Sequence, residues 1–305
     1  MRAYVAARLA TAVLVVLGVS LVSFLLTLLT GDPAEIMLPP GATAEQIEKF
    51  RVAWGYADPL PVQYWRFLRR AMQGDFGVSL RHGQSALPLI AARLPATLQL
   101  TVTAMLLAIA LAVPLGVLAA AHRGTKIDLL AMGVALLGQS VPNFWLAIMM
   151  ILLFAVSWGI LPTSGRGGVA HVVMPAVAIA INLMALLTRL VRTTMIDVLG
   201  EDYVRTGRGK GLRELAVVTR HALPNALIPL VTVIGLQFGY ILGGAVVIET
   251  VFTWPGVGLF TIQAILNRDY PVVQASVFVL ASAVVLINLT VDLLYVWLDP
   301  RIRVG

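Results

Sequence analysis

The sequence predicts an all-α polytopic membrane protein with six transmembrane helices and a long loop after the first. Composition and pattern both predict it. Of 305 residues, 59% are hydrophobic and 12% are charged, with a mean hydropathy of +0.90. A soluble domain of this size carries about twice that charge. Six stretches of 22 residues or more contain no Asp, Glu, Lys or Arg: residues 9–31, 94–122, 129–165, 167–188, 221–248 and 270–291. Each holds the ~20 helical residues that cross roughly 30 Å of hydrocarbon.

The first apolar run follows Arg2 and Arg8. It exceeds 20 residues, and no A-x-A cleavage site follows at Thr30-Gly31-Asp32, so it reads as a retained span over 9–30 rather than a signal peptide. The loop over 32–93 comes next. In it, Thr43-Ala44-Glu45-Gln46 has the form of a capping box opening a short helix, with Ile47, Phe50 and Trp54 on one face. Residues 61–73 put Gln63, Arg66, Arg70 and Gln73 on one stripe and Tyr64, Trp65, Leu68 and Met72 opposite, the pattern of a helix lying in the outer interface. Two roles are open to it: shielding the loop's backbone at the membrane surface, or docking an external partner or covering a pore mouth.

The remaining spans are expected at 96–121, 129–157, 170–190, 225–248 and 271–295. The third window ends early because Ile160-Leu161-Pro162-Thr163-Ser164-Gly165 reads as a loop. Pro114, Pro142, Pro175 and Pro229 lie in or near spans, where proline kinks helices.

Orientation follows from Lys and Arg in the short loops. One side carries Arg2, Arg8, Arg123, Lys126, Arg189, Arg192, Arg205, Arg208, Lys210, Arg213, Arg220, Arg301 and Arg303; the short loops of the other carry only Arg166 and Arg268. Both termini are therefore expected in the cytoplasm and the 32–93 loop outside. That loop's own seven basic residues do not count against this, because long loops escape the rule.

The net charge of +7 would suggest nucleic acid for a soluble chain. Here it reflects loops that hold the topology and face anionic lipid, so the expected environment is the lipid bilayer, with no nucleic acid. The absence of cysteine excludes disulfides, thiolate metal sites and cysteine nucleophiles. His82, His122, His171 and His221 share no helix face, so no metal or cofactor site is expected. No G-x-x-x-x-G-K-[ST], H-E-x-x-H or G-x-S-x-G occurs, and no catalytic residues are assigned.

The one basic polar stretch between later spans is residues 201–225. It opens Glu201-Asp202-Tyr203-Val204-Arg205-Thr206-Gly207-Arg208-Gly209-Lys210-Gly211-Leu212 and closes Arg220-His221-Ala222-Leu223-Pro224-Asn225. Gly207, Gly209 and Gly211 leave no side chains in the way of a partner, and Gly211 permits a turn. Pro224 suits the first turn of the next helix. Among polar groups in the spans, Gln99, Gln139, Asn143, Asn182, Gln237, Gln274 and Asn288 are functional suspects, with helix–helix hydrogen bonding as the competing reading. Asn143, Asn182 and Gln237 are the candidates for a substrate path. Glu249, beside Trp254-Pro255-Gly256, either pairs with a basic residue on an outer loop or belongs to an outer gate. Asp292 lies near the inner end of the last span.

The 201–225 spacing resembles the E-A-A-x3-G-x9-I-x-L-P loop of ATP-binding-cassette importer permeases, with Arg205 in place of the Glu, Thr206 and Gly207 in place of the two Ala, and His221 in place of the Ile. Further segments resemble the dipeptide/oligopeptide/nickel branch of that family. They include Gly31-Asp32-Pro33-Ala34, Gly74-Asp75-Phe76-Gly77, Gln139-Ser140-Val141-Pro142-Asn143-Phe144, Glu249-Thr250-Val251-Phe252-Thr253-Trp254-Pro255-Gly256 and Leu298-Asp299-Pro300-Arg301. The long first loop is similar to that of the B-type permease of the pair.

The resemblance implies the type I importer transmembrane architecture in a bacterial cytoplasmic membrane. It implies a pore completed by a second, homologous permease subunit and driven by two ATPase domains that bind the ATP and Mg. An extracytoplasmic solute-binding protein would deliver short peptides or a similar small solute such as haem or nickel. A coupling loop is implied over 196–222, where Glu201, Asp202, Tyr203, Arg205, Thr206, Gly207, Lys210 and Gly211 would meet an ATPase. The alternative is a self-sufficient secondary transporter or channel, which would usually need acidic residues mid-membrane; only Glu249 and Asp292 approach that, and both sit near span ends.

Overall fold

A computed structural model describes residues 2–29, 38, 41–53 and 55–298. Gly31-Asp32-Pro33-Ala34, Trp54 and the tail from Asp299, with Arg301 and Arg303, lie outside the described residues, and so does the side chain of Asp292. The described chain is helical, apart from loops and one isolated antiparallel bridge, Val78 with Ser85. Five described helices are long and apolar enough to cross a membrane, and a bent helix pair makes a sixth if counted as one span. The chain forms two compact units, residues 1–96 with 255–305 and residues 97–254.

In the first unit, α1 (Arg2–Leu29) packs along α14 (Tyr270–Leu298). Both are apolar because nothing else satisfies hydrocarbon, and Val13 and Leu14 of α1 stand exposed for that reason. The packed face of α1 carries its buried hydroxyls. Ser20 bonds the Leu17 carbonyl at 2.7 Å and meets the Tyr64 hydroxyl at 2.8 Å, while Ser23 donates to the Gln274 carbonyl at 3.4 Å. The capping box forms as its residues require: Thr43 N–H donates to Gln46 Oε1 at 2.9 Å and Gln46 N–H to Thr43 Oγ1 at 3.3 Å, opening α2 (Ala44–Ala53). Next come α3 (Leu60–Met72) and α4 (Ala86–Ala91). The core joins Phe76, Ile90, Phe260 and Val272, with α13 (Val257–Leu266) supplying Phe260.

The second unit is built around one buried helix. It takes most of α5 (Leu94–Ala121), then α6 (Lys126–Ser140), α7 (Asn143–Met150), α8 (Val169–Leu199) and α12 (Ile228–Val251). α8 packs against α6, α7 and α12, and Leu187, Val191 and Met195 are fully buried. Small residues permit the closest approach: a Cβ built on Gly116 of α5 would stand 2.7 Å from the Val191 Cβ.

The third apolar stretch, 129–157, is two helices bent by 97° at the break between Ser140 and Asn143. Pro142 sits at that break with extended geometry, where its missing N–H and fixed φ stop a helix and start another. Beyond Met150 the hydrogen bonding widens to a π-helix over Ile151–Ser157. After the short α10 (Glu214–Ala216), a second π segment, Val217–Ala222, runs into α11 (Leu223–Ala226), whose first turn holds Pro224.

Candidate functional site

The basic loop begins where α8 stops. Gly200 caps α8, Glu201 turns extended, and α9 (Asp202–Gly209) follows. α9 is short and glycine-rich, with weak helical propensity, so it depends on its anchors. Val204 is its one fully buried side chain, and burial of a valine contributes about 1.5–3 kcal/mol. The half-exposed Tyr203 accepts a hydrogen bond from the Asn225 side chain at 3.0 Å, which also donates to the His221 carbonyl at 3.0 Å. Asp202 lies in the first turn and Arg208 in the last, each favourable to the helix dipole.

The C-terminus of α9 closes in a Schellman turn. Gly211 N–H bonds the Arg208 carbonyl at 2.9 Å, Leu212 N–H the Gly207 carbonyl at 3.4 Å, and Gly211 adopts φ +78°. Arg208 then grips Glu214 with two bonds of 3.0 and 2.7 Å. Hydrogen bonding to Arg208 holds the Glu214 carboxyl below its ordinary range, and Glu214 raises the Arg208 guanidinium in turn. What remains outward is Glu201, Asp202, Arg205, Thr206, Gly209 and Lys210, all exposed, with Gly207 half-buried under Leu212. Among the described residues, Arg205 is held only by an exposed 3.4 Å pair with Asp202. The result is an exposed ledge of mixed charge on a packed base, with Glu201 and Asp202 set beside Arg205 and Lys210.

Asn143 and Asn182 meet at the break in the third apolar stretch. The Asn182 amide donates to the Asn143 side-chain oxygen, and to the Val141 carbonyl at 3.3 Å. This satisfies a carbonyl that the break has freed, as broken helices in a membrane require. Gln237 is half-buried on α12 and makes no hydrogen bond with either among the described residues. Glu249 is fully buried near the end of α12 and accepts a 2.6 Å bond from the Thr97 hydroxyl. Near that helix end, Trp254 N–H bonds the Glu249 carbonyl at 2.8 Å, Gly165 N–H bonds the Phe252 carbonyl at 2.9 Å, and Arg166 reaches Gln99 Oε1 at 3.0 and 2.7 Å. Gln139 is exposed, and the side-chain oxygen of Asn288 is buried without a partner among the described residues.

One pair escaped the sequence reading. Arg192 of α8 clamps Asp128 of α6 with bonds of 2.5 and 2.7 Å, and Gly124 N–H adds a third at 3.0 Å. Arg192 had a sufficient explanation as a topology residue, and Asp128 lay just outside an apolar window. The available signal was an acid at the start of a span, which needs a partner once buried.

The comparisons agree along the chain. A family model described as binding-protein-dependent transport system inner membrane component matches residues 112–304, and one for the N-terminal part of such components matches residues 1–101. The glutathione transport system permease protein GsiC of Escherichia coli (strain K12) is 41% identical over 301 residues, covering 98% of each chain. The dipeptide transport system permease protein DppB of the same strain is 38% identical over 333 residues, again covering 98% of each. A solved structure of inward-facing conformations of the MetNI methionine ABC transporter has a TM-score of 0.60 at 19% identity, covering 69% of this chain and 96% of that one. An amino acid ABC transporter crystallised with histidines has a TM-score of 0.51 at 17% identity, covering 70% and 94%.

Proposed function

Because the chain belongs to the family of binding-protein-dependent transport system inner membrane components, the permease subunits of ATP-binding-cassette importers, we propose that it forms half of a two-subunit pore for short peptides. The glutathione and dipeptide permeases among its relatives support the peptide class. A second, homologous permease completes the pore, two ATPase domains supply ATP and Mg chemistry, and an extracytoplasmic binding protein delivers the solute. The chain itself is non-catalytic. Both termini face the cytoplasm, as the arginine and lysine distribution requires.

The observation that carries this reading is the exposed ledge of α9 on a packed base. α9 follows α8 across a two-residue turn and is pinned to the segment before α12 through Tyr203 and Asn225. α8 is the buried hub of its unit and is clamped to α6 by Arg192. A push on α9 therefore moves α8 as a rod, because a packed helix transmits displacement rather than absorbing it. Asn182, 17 residues above Leu199, lies roughly 26 Å along that rod. ATP-driven closure of the ATPases pulls two such ledges together and opens the pore outward; hydrolysis returns it inward.

The test is affinity purification from native membranes in mild detergent, with mass spectrometry of what accompanies the chain. A second six-span permease and a Walker-A ATPase are the expected companions. A chain recovered alone, or as a homo-oligomer in several detergents, would overturn the proposal in favour of a self-sufficient channel or carrier.

A further inference from the structure

The first unit holds a cavity of about 620 Å³. Its size is in the range of small-molecule sites, and its whole lining belongs to α1, α3, α14 and the outer loop of that unit. Gln63, Arg66 and Arg70 of α3 fall on one stripe of the helix and face it together. An apolar wall is supplied by Phe24, Phe67 and Phe76, whose rings contact in sequence at 6.0 and 6.5 Å.

The two arginines are not equivalent. Arg66 Nη2 is committed to Asp58 at 2.6 Å. Arg70 is held from behind: its Nε donates to Asp75 Oδ2 at 3.1 Å, and Asp75 Oδ1 is itself fixed by the Gly77 N–H at 2.9 Å. Among the described residues, neither terminal nitrogen of Arg70 makes a hydrogen bond. A guanidinium anchored at Nε with its terminal pair unspent presents the fork that takes a carboxylate by two parallel bonds.

The side of α3 opposite this stripe carries Trp65 and Met72, both strongly exposed. In a membrane that side belongs in the lipid interface, which turns the polar stripe and its cavity to the water. Phe24 lies 16 residues beyond Arg8 on α1, roughly 24 Å along the helix, and the hydrocarbon core is roughly 30 Å thick. With the N-terminus inside, the cavity sits at the outer surface.

We infer that this cavity is an outward-facing binding site for the C-terminal residue of a short peptide, with Arg70 holding the carboxylate and the Phe24–Phe67–Phe76 wall taking an apolar side chain. The inference rests on the peptide reading above. It gives the permease a contact with solute that does not depend on the binding protein.

The experiment measures equilibrium binding of radiolabelled alanyl-phenylalanine, and of its C-terminal amide, to the purified permease complex in nanodiscs without binding protein. The acid is expected to bind saturably, with the amide at least about tenfold weaker, because the amide forfeits the charged bidentate contact. Arg70→Gln is expected to erase that preference. Val78→Trp, which fills the cavity from its lining loop and leaves Arg70 in place, is expected to abolish binding of both. No saturable binding, equal binding of acid and amide, or a preference that survives Arg70→Gln would each overturn the inference. The acid–amide comparison uses the unaltered protein and so does not depend on any variant folding. Uptake of the same peptide by cells carrying the whole system separates the two ideas. Uptake without binding to the purified complex refutes the cavity and spares the importer. Absence of uptake for every peptide tried refutes the peptide reading, and the cavity inference falls with it.

Discussion

Replacing Gly116 by alanine tests how tightly the second unit is built. A Cβ at this position would stand 2.7 Å from the Val191 Cβ, 2.8 Å from Val191 Cγ1 and 2.8 Å from the Thr188 carbonyl oxygen. Carbon atoms in ordinary contact lie about 3.5–4.0 Å apart, so α5 and α8 must separate by close to 1 Å. Nothing local can yield instead. One obstacle is backbone, the other is a β-branched side chain fixed at χ1, and Thr188 and Val191 are both fully buried. Overpacking of this kind costs about 1–3 kcal/mol, and the gain in helix propensity from Gly to Ala returns at most about 1 kcal/mol. With that gain subtracted in full, the net loss is about 0–2 kcal/mol. Gly133 of α6 is the control, because nothing stands within 4 Å of a Cβ built there. Thermal unfolding of the purified complex in one detergent should rank Gly133→Ala at or above the parent and Gly116→Ala several degrees below. Coupled uptake should fall with Gly116→Ala as well, because α8 leads into the basic loop. Equal unfolding temperatures for the two variants would refute the claim that the α5–α8 approach is set by the missing side chain.

Three further outcomes are expected. Gly207→Trp should cut uptake at least about tenfold with the amount of chain in the membrane unchanged, since a Cβ there meets only Leu212 Cδ1 at 3.6 Å and the bulk projects to the surface where we propose that the ATPase docks; undiminished uptake would refute that proposed placement. Asn182→Ala should destabilise by about 1–3 kcal/mol, because it strands the Val141 carbonyl at the helix break, whereas unchanged unfolding would mean that water satisfies that carbonyl. The Arg208–Glu214 pair sets the acid sensitivity of the loop. Glu214 has a depressed carboxyl in the folded chain, so its contribution is complete above the unfolded value of about 4.3 and is lost as pH falls through the lower folded value. Both partners are well exposed, which keeps that contribution under about 1 kcal/mol. Hydrogen exchange over 201–216 should be flat in protection between pH 6 and 8 and should loosen only below roughly pH 4; a change near neutrality would implicate a different group.

The parts legible in the sequence are those that short-range physics decides. Thr43 and Gln46 are three residues apart, so their reciprocal cap could be read directly and forms as written. Gly211 was readable as a turn because glycine takes up a φ of +78° without steric cost. Pro142 marked a break, though not its 97° angle, which the packing of α7 on α8 decides. Glu249 carried no mark of its partner: Thr97 lies 152 positions away and is not charged. Asp128 and Arg192 are 64 positions apart and each had a sufficient local explanation. The stripe of Gln63, Arg66 and Arg70 was visible, but a stripe does not say what stands opposite it.

The sequence alone determined that this chain crosses a membrane several times and where its basic loop lies between two of those crossings. Those properties follow from the cost of charge in hydrocarbon and from local backbone geometry, both summed along the chain. The tertiary structure decided which polar groups meet, how closely α5 approaches α8, and that an arginine fork opens onto a cavity at the first unit's surface. These depend on residues far apart in sequence being brought within hydrogen-bond range, and no periodicity along one helix encodes its neighbour's identity.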